Sequence, residues 1–374
     1  MRILFVASLH HPEALAEAVA KTPAGQAPPL FPPSMAQHFW EKALLRRGHV
    51  LEVFFRNEPA FGGGIKSHRH TNRITPGKVL GALARRLPTL NPDYRLRNKR
   101  LIEKAKAFAP DVLWLIGDNT IIYPETIAQI KAEHGCKVVY ASGTSPIVFG
   151  HQMELRAAPL YDLVLVNDYY HGIQWLELGA GQMQCLPIAA IDPEFHHPYA
   201  LTEAEQAAYQ CEIAFVGTLL PDHLYSERVK ALSALTEFDL GIWSVHEVPA
   251  HLKPALRGGA LGETMMRIMS AAKICINPHG NFMRYGGNQR LFEASAAGIL
   301  QITDNLPGIP EWFTPGENIL VYTDAADLKA QVSHYLHDEA ARLALAEKAR
   351  QHVYTHHTYD NRVQQVEVLL AALK

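Results

Sequence analysis

NPHGNFMRYGGNQRLFEASAAGILQITDNLPGIPE, running from Asn277 to Glu311, is the stretch whose reading decides the fold. Ile274-Cys275-Ile276-Asn277 at its start is a short apolar run that fits a buried strand. Gly286-Gly287-Asn288 then removes side-chain bulk where a helix should begin, so a ligand can approach the backbone. Asn288 suits the N-cap. The helix that follows, Gln289 to Ala297, presents unpaired amides and the positive end of its dipole to the loop, an arrangement suited to a diphosphate. Arg290 and Glu293 share one face of its first turns, a guanidinium to chelate phosphate and a carboxylate to accept two adjacent hydroxyls. Gly298 marks the C-cap, and Ile299 to Ile302 begins the next strand. Together these features point to a sugar nucleotide as ligand.

Other motifs extend the pattern along the chain: PDVLWLIGDNTIIYPETIAQIK (Pro110 to Lys131), DLVLVNDYYHGIQWLELGAGQMQCLPIAAIDP (Asp162 to Pro193), AFVGTL (Ala214 to Leu219), Arg290-Leu291-Phe292-Glu293-Ala294 and HTYDNR (His357 to Arg362). With them the chain resembles glycosyltransferases of the two-Rossmann GT-B architecture, in particular the group of the spore-maturation CgeB-like proteins. The resemblance implies an α/β fold with two Rossmann-like parallel-sheet domains facing a central cleft. It implies a hexosyltransferase-type enzyme that moves a sugar from a nucleoside-diphosphate sugar to an acceptor, without a metal or other cofactor and with retention of configuration. Related retaining enzymes carry paired glutamates; the second aligns with Glu293, placed at the nucleotide ribose, and the first falls on Tyr285. An arginine near the diphosphate aligns with Arg228. A histidine expected after the fourth strand is replaced by Ala141-Ser142-Gly143-Thr144, and His151 stands a few residues on as its substitute.

Strand–glycine junctions at the C-terminal edge of a parallel sheet are where such sheets bind ligands, so Gly217-Thr218 is expected to offer an amide and a hydroxyl to the distal phosphate. The expected donor-binding set is therefore Gly217, Thr218, Arg228, Arg284, Gly286, Gly287, Asn288, Arg290 and Glu293. His279, just past a strand end, and His151 are the candidates for the chemistry. Glu263 reads as the first-turn acid of a helix.

Strand-like runs at Arg2–Ser8, Val50–Arg56, Asp111–Gly117, Lys137–Ala141 and Leu163–Asn167 alternate with helical patterns, as in a parallel sheet wrapped by helices. The alternation restarts with Ile213–Val216, Asp239–Ile242, Ile274–Asn277, Leu300–Asp304 and Ile319–Tyr322. Between the two sets, Ile191 to Pro198 and a polar stretch to Gln210 read as a hinge. The expected organisation is an acceptor domain over 1–205, a donor domain over 206–355, and a last helix over 356–374 that crosses back to the first domain. A Pro-rich piece (Pro28, Pro29, Pro32, Pro33) and a glycine- and histidine-bearing loop over 57–77 enlarge the first connections.

The composition, 48% apolar and 19% charged over 374 residues, is that of a globular protein with room for two cores. Scattered cysteines (Cys136, Cys185, Cys211, Cys275) read as free thiols in a reducing cytoplasm, and no apolar run is long enough to span a membrane. The net charge of −2 conceals a basic region between Arg46 and Lys106, with fifteen Lys/Arg against four Asp/Glu. That region, with the amphipathic Lys78–Leu87 segment, suits either peripheral contact with the anionic inner face of a membrane or a solvated face whose acidic partners lie elsewhere in the fold. No nucleic-acid partner is expected. The absence of DxD, GxxxxGK[ST], GxSxG and of a GxGxxG after the first strand argues against metal-clamped transferase, ATPase, hydrolase and dehydrogenase chemistry. A sugar-nucleotide epimerase of the same fold and a non-catalytic nucleotide-sugar binder remain as alternatives.

Overall fold

Apolar runs bounded by polar residues become strands buried on both faces, the usual condition of a parallel sheet covered by helices. A computed structural model describes residues 1–8, 35–58, 60 and 91–373. The chain forms two compact units, one of residues 1–166, 171–188 and 363–374, the other of residues 167–170 and 189–362. The Pro-rich piece, most of the 57–77 loop and the Lys78–Leu87 segment lie outside the described residues.

The first unit holds a six-stranded sheet in the order β2-β1-β3-β4-β5-β6. Its strands are β1 (Arg2–Ala7), β2 (Val50–Phe55), β3 (Val112–Ile116), β4 (Lys137–Ser142), β5 (Leu163–Val166) and β6 (Met183–Cys185). Every pairing is parallel. Leu4, Val6, Leu113, Val138 and Val164 pack with Tyr140, Tyr161 and Trp175 into one core. The end of the last helix (Tyr359–Ala372) belongs to this unit, where Glu367 accepts from Arg47 and meets His49 at 2.8 Å.

The second unit repeats the plan with β12-β11-β10-β7-β8-β9, again all parallel. Its strands are β7 (Ile213–Val216), β8 (Leu240–Trp243), β9 (Leu256–Gly258), β10 (Ile274–Asn277), β11 (Leu300–Asp304) and β12 (Leu320–Tyr322). The chain leaves β7 toward β8 and β9, then returns to place β10 on the opposite side of β7. Such a reversal opens a crevice at the C-terminal ends of the two strands concerned, because the connections diverge there. The crevice in this unit lies beyond Val216 and Asn277.

The stretch read as a hinge is built into the second unit. Ile191 donates its amide to His357 O at 2.9 Å and accepts from the Tyr359 amide at 3.0 Å, while Asp192 and His196 are buried. Its backbone polar groups are thus paired in the fold, unlike those of a linker. The polar stretch beyond it forms a surface helix, Glu203–Tyr209, closed by a Thr202–Glu205 capping box. The change of unit accordingly falls at Ile188/Ala189, and the return at Arg362/Val363, rather than at 205/206 and 355/356.

Described cations of the basic region find acids on other elements: Arg47 meets Glu367, Lys104 meets Glu52, and Lys106 lies 3.6 Å from Glu133. Arg97 pairs with Asp93 within its own helix. These pairs fit the solvated-face reading for the part of the region that is described. Among the described residues no helix is long and apolar enough to cross a membrane. All four cysteines are free thiols, three of them buried.

Candidate functional site

The crevice of the second unit collects most of the residues singled out in the sequence. Gly286 and Gly287 take φ of +115° and +92°, backbone that side-chain-bearing residues rarely adopt, and Asn288 then opens the Gln289–Ala296 helix. The Asn288 side chain accepts the Leu291 amide at 2.9 Å and exchanges amide hydrogen bonds with Asn277 at the end of β10. Asn277 also donates to Gln301 on β11 at 2.8 Å. This polar network ties the helix start to the strand ends, leaving the Gln289 and Arg290 amides among those a helix cannot pair internally. Gly298 follows the helix with φ +72°, as a left-handed terminator does.

Gly287 is needed for space as well as conformation. A Cβ there would lie 2.4 Å from Asn167 O and 3.0 Å from the Trp312 ring. Gly287→Ala therefore combines unfavourable φ, about 1–3 kcal/mol, with a backbone clash that nearby side chains cannot relieve. The variant is expected to unfold at lower denaturant concentration; a wild-type midpoint would show that the loop can move aside.

Glu293 is only 8% exposed. Its carboxylate accepts from Arg290 at 2.6 Å and lies 3.7 Å from His196 Nε2. Burial alone would raise its pKa, yet the Arg290 charge and the His196 contact hold it below the ordinary glutamate value. Arg290 also reaches Val216 O at 3.5 Å, and its Nε is buried with no partner among the described residues. The pair is thus an ionised acid and a cation with a donor still to satisfy, set side by side at the mouth of the crevice.

Arg228 spans the crevice. It donates to Pro278 O at 2.9 Å and to Thr218 O at 3.1 Å, with Tyr225 under its guanidinium at 4.9 Å. Burial lowers its pKa, although an arginine remains charged at any ordinary pH. The side chain therefore fastens the loops after β7 and β10 and brings a positive charge between them. Arg284 is exposed on the loop before Tyr285.

Three expectations need correction. Gly217 has no amide to offer a phosphate, because its N–H already donates to Trp243 O at 3.0 Å as the β7–β8 ladder continues past the strand. Its absent side chain instead admits Phe215, whose ring atom would lie 3.0 Å from a Cβ. His279 is 1% exposed and has both ring nitrogens engaged, Nδ1 with Asp304 at 2.6 Å and Nε2 accepting the Asn288 amide at 3.4 Å. It positions the glycine loop from within the protein rather than contacting a sugar. Asp304, which burial would push up, is held below the usual carboxylate range by that imidazole and by the His279 amide. His151 lies in the first unit as a helix N-cap, its Nδ1 accepting the Met153 amide at 3.2 Å within a capping box completed by Glu154. Burial lowers its pKa.

Sequence reasoning missed Asp168. Wholly buried, it accepts the Tyr285 amide at 2.6 Å and the Gly286 amide at 3.4 Å through Oδ2, and the Tyr170 amide at 2.9 Å through Oδ1. The signal available was an acid two residues past the apolar run of β5, a place where parallel strands deliver functional side chains.

Against known proteins, residues 221–367 match a family model described as glycosyl transferase-like. No curated protein gives a significant sequence match to the chain. Among solved structures, sucrose-phosphate synthase from Thermosynechococcus elongatus aligns over 100% of both chains, with TM-score 0.62 and 14% identity. The catalytic domain of starch synthase IV from Arabidopsis thaliana, bound to ADP and acarbose, aligns over 99% of this chain and 98% of its own with TM-score 0.63 and 11% identity. Anabaena HepE, in complex with UDP-glucose, aligns over 100% of both chains with TM-score 0.61 and 13% identity. The fold is GT-B. Both sheets of this GT-B chain follow from the alternation in its sequence, and the glycosyl transferase-like match covers β8 to β12 with the glycine loop and the Gln289–Ala296 helix.

Proposed function

We propose that the protein transfers a sugar from a nucleoside-diphosphate sugar to an acceptor hydroxyl, with the donor held in the crevice of the second unit. One observation carries the reading. At the reversal point of a parallel sheet, a helix begins with free amides beside two arginines and a buried, ionised glutamate. Arg228, Arg290 and the helix start would meet the diphosphate, and Glu293 the ribose hydroxyls, with Arg290 turning from the acid toward phosphate as ligand arrives.

Catalysis follows from where charge grows. As the glycosidic C–O bond lengthens, its electrons pass to the departing nucleoside diphosphate, and amides and guanidinium groups already aimed there stabilise that charge with little reorganisation. The same groups neutralise the diphosphate without calling for a metal. Membership of the CgeB-like group and retention at the anomeric carbon complete the proposal on the strength of the motifs, and the acceptor falls to the first unit.

A thermal-shift panel of UDP, ADP, GDP, dTDP and CMP with their sugars tests it. Ligand at 100 times its dissociation constant stabilises the folded protein by about 2.7 kcal/mol. The reading fails if no nucleotide shifts the transition. Binding without turnover in an acceptor screen would identify a non-catalytic binder, and epimer formation from donor alone an epimerase.

A further inference from the structure

The second unit carries a cavity of about 230 Å³ where the chain enters β10 and β11, between Tyr199, Lys273, Gly298 and Arg342. The crevice read as the donor site lies at the other end of the same strands. About 13 Å of β10 separates the two, by the rise of its four residues.

The side-chain charge on the cavity walls has one sign. Its lining holds Lys273 and Arg342 and no acid. Lys273 is exposed and its ammonium has no partner among the described residues, while its amide is fixed to Cys211 O at 3.1 Å. Arg342 is 6% exposed and donates to Tyr335 O at 3.0 Å and to Glu339 at 3.2 Å, which leaves further N–H groups of its fork unused. The Glu339 side chain is 72% exposed, and so solvated a carboxylate offsets little of the arginine charge.

Unpaired acceptors stand beside these cations. The Gln289–Ala296 helix ends at the cavity, and the carbonyls of Ala297 and Gly298 that follow it accept no hydrogen bond among the described residues. Ala297 is itself 3% exposed, and the carbonyl of a buried residue ordinarily finds a donor. The walls around these groups are fixed. Ser270 Oγ accepts the Tyr199 amide at 2.9 Å and donates to Met266 O at 2.8 Å, and the Tyr199 hydroxyl donates to Phe195 O at 3.0 Å. The cavity is thus held by groups whose own bonds are spent, as a preformed site is.

Size and chemistry select the ligand. Pockets for drug-sized molecules run to about 300–1,000 Å³, so this smaller cavity does not take a whole nucleotide sugar. Cations with donors to spare call for a phosphate, and orphan carbonyls call for hydroxyl groups. A monosaccharide phosphate carries both.

We infer that this cavity binds a small phosphorylated polyol, its phosphate on Lys273 and Arg342 and its hydroxyls donating to the Ala297 and Gly298 carbonyls. The site is separate from the donor crevice and does not depend on the donor reading.

Calorimetric titration of glucose 1-phosphate, glucose 6-phosphate, fructose 6-phosphate, inorganic phosphate and glucose tests it in wild type, Lys273→Glu, Leu343→Glu and Leu343→Gln. Leu343 lines the cavity with 56% of its surface exposed, so changes there and at exposed Lys273 spare the core. Wild type is expected to bind a sugar phosphate more tightly than inorganic phosphate or glucose. Lys273→Glu and Leu343→Glu should each weaken that binding on the order of tenfold, since each sets a carboxylate beside the phosphate, whereas Leu343→Gln should bind as wild type does. Either acidic variant decides the matter if the other fails to fold. Wild type that binds no sugar phosphate overturns the inference. So does an affinity that survives the acidic variants, which seats the ligand elsewhere, or one no higher than that of inorganic phosphate, which leaves the carbonyls without a role.

Discussion

Replacing Glu293 by alanine is expected to lower stability by about 3 kcal/mol and, on the proposed function, to abolish the response to nucleotides, because it leaves the Arg290 charge half-buried without its carboxylate and removes the acceptor proposed for ribose. A surface acid would contribute a fraction of that. The pH dependence gives a second reading of the same residue. Burial would raise the carboxyl, but Arg290 and His196 bring its folded-state pKa below the ordinary 4.5. A depressed acid stabilises the fold in full above its unfolded pKa, and that contribution disappears as pH falls through the lower folded value. The stability gap between wild type and Glu293→Gln should therefore be constant near neutrality and shrink below pH 4.5. Denaturant melts across pH, paired with the nucleotide panel at neutral pH, measure both effects. A Glu293→Ala protein that binds nucleotides as wild type does would remove the acid from the donor site.

Asp168→Ala is expected to cost about 3 kcal/mol, since the Tyr285 and Tyr170 amides lose a buried charged acceptor and the Gly286 amide a weaker one. Asparagine should rescue little, because its NH2 would face N–H groups that need an acceptor. Hydrogen exchange distinguishes this from a general loss of stability: the Tyr285 and Gly286 amides should lose protection before the β10 and β11 amides do. Uniform loss across the second unit would contradict a local clamp.

Most strands that were legible in the sequence are buried on both faces, the half-buried edge strands β2 and β12 being read as well. β7, β10 and β11 fall where their apolar runs predict, because a central parallel strand has no polar face to blur the pattern. β6 and β9 escaped notice for the converse reason. They are three-residue edge strands, and β9 is exposed throughout, so neither has an apolar run to betray it. In the site, the glycines, the cap and the Arg290–Glu293 pair were readable because each is a local requirement of loop or helix. The tasks of Asp168 and Asp304 were not: each serves partners far away in sequence, and a carboxylate after a strand looks the same whether it faces water or a buried amide. His279 was misjudged likewise, since only the arrival of Asp304 shows that its ring is occupied.

The second unit is discontinuous in sequence, drawing on 167–170 as well as on 189–362. Dissecting the gene at a single point therefore cannot release it as an autonomous fragment. A truncation beginning at residue 206 would discard the Asp168 carboxylate that holds the Tyr285 and Gly286 amides, and His196 beside Glu293. An isolated second unit would need the 167–170 tetrapeptide grafted back, or circular permutation, before its glycine loop could assemble.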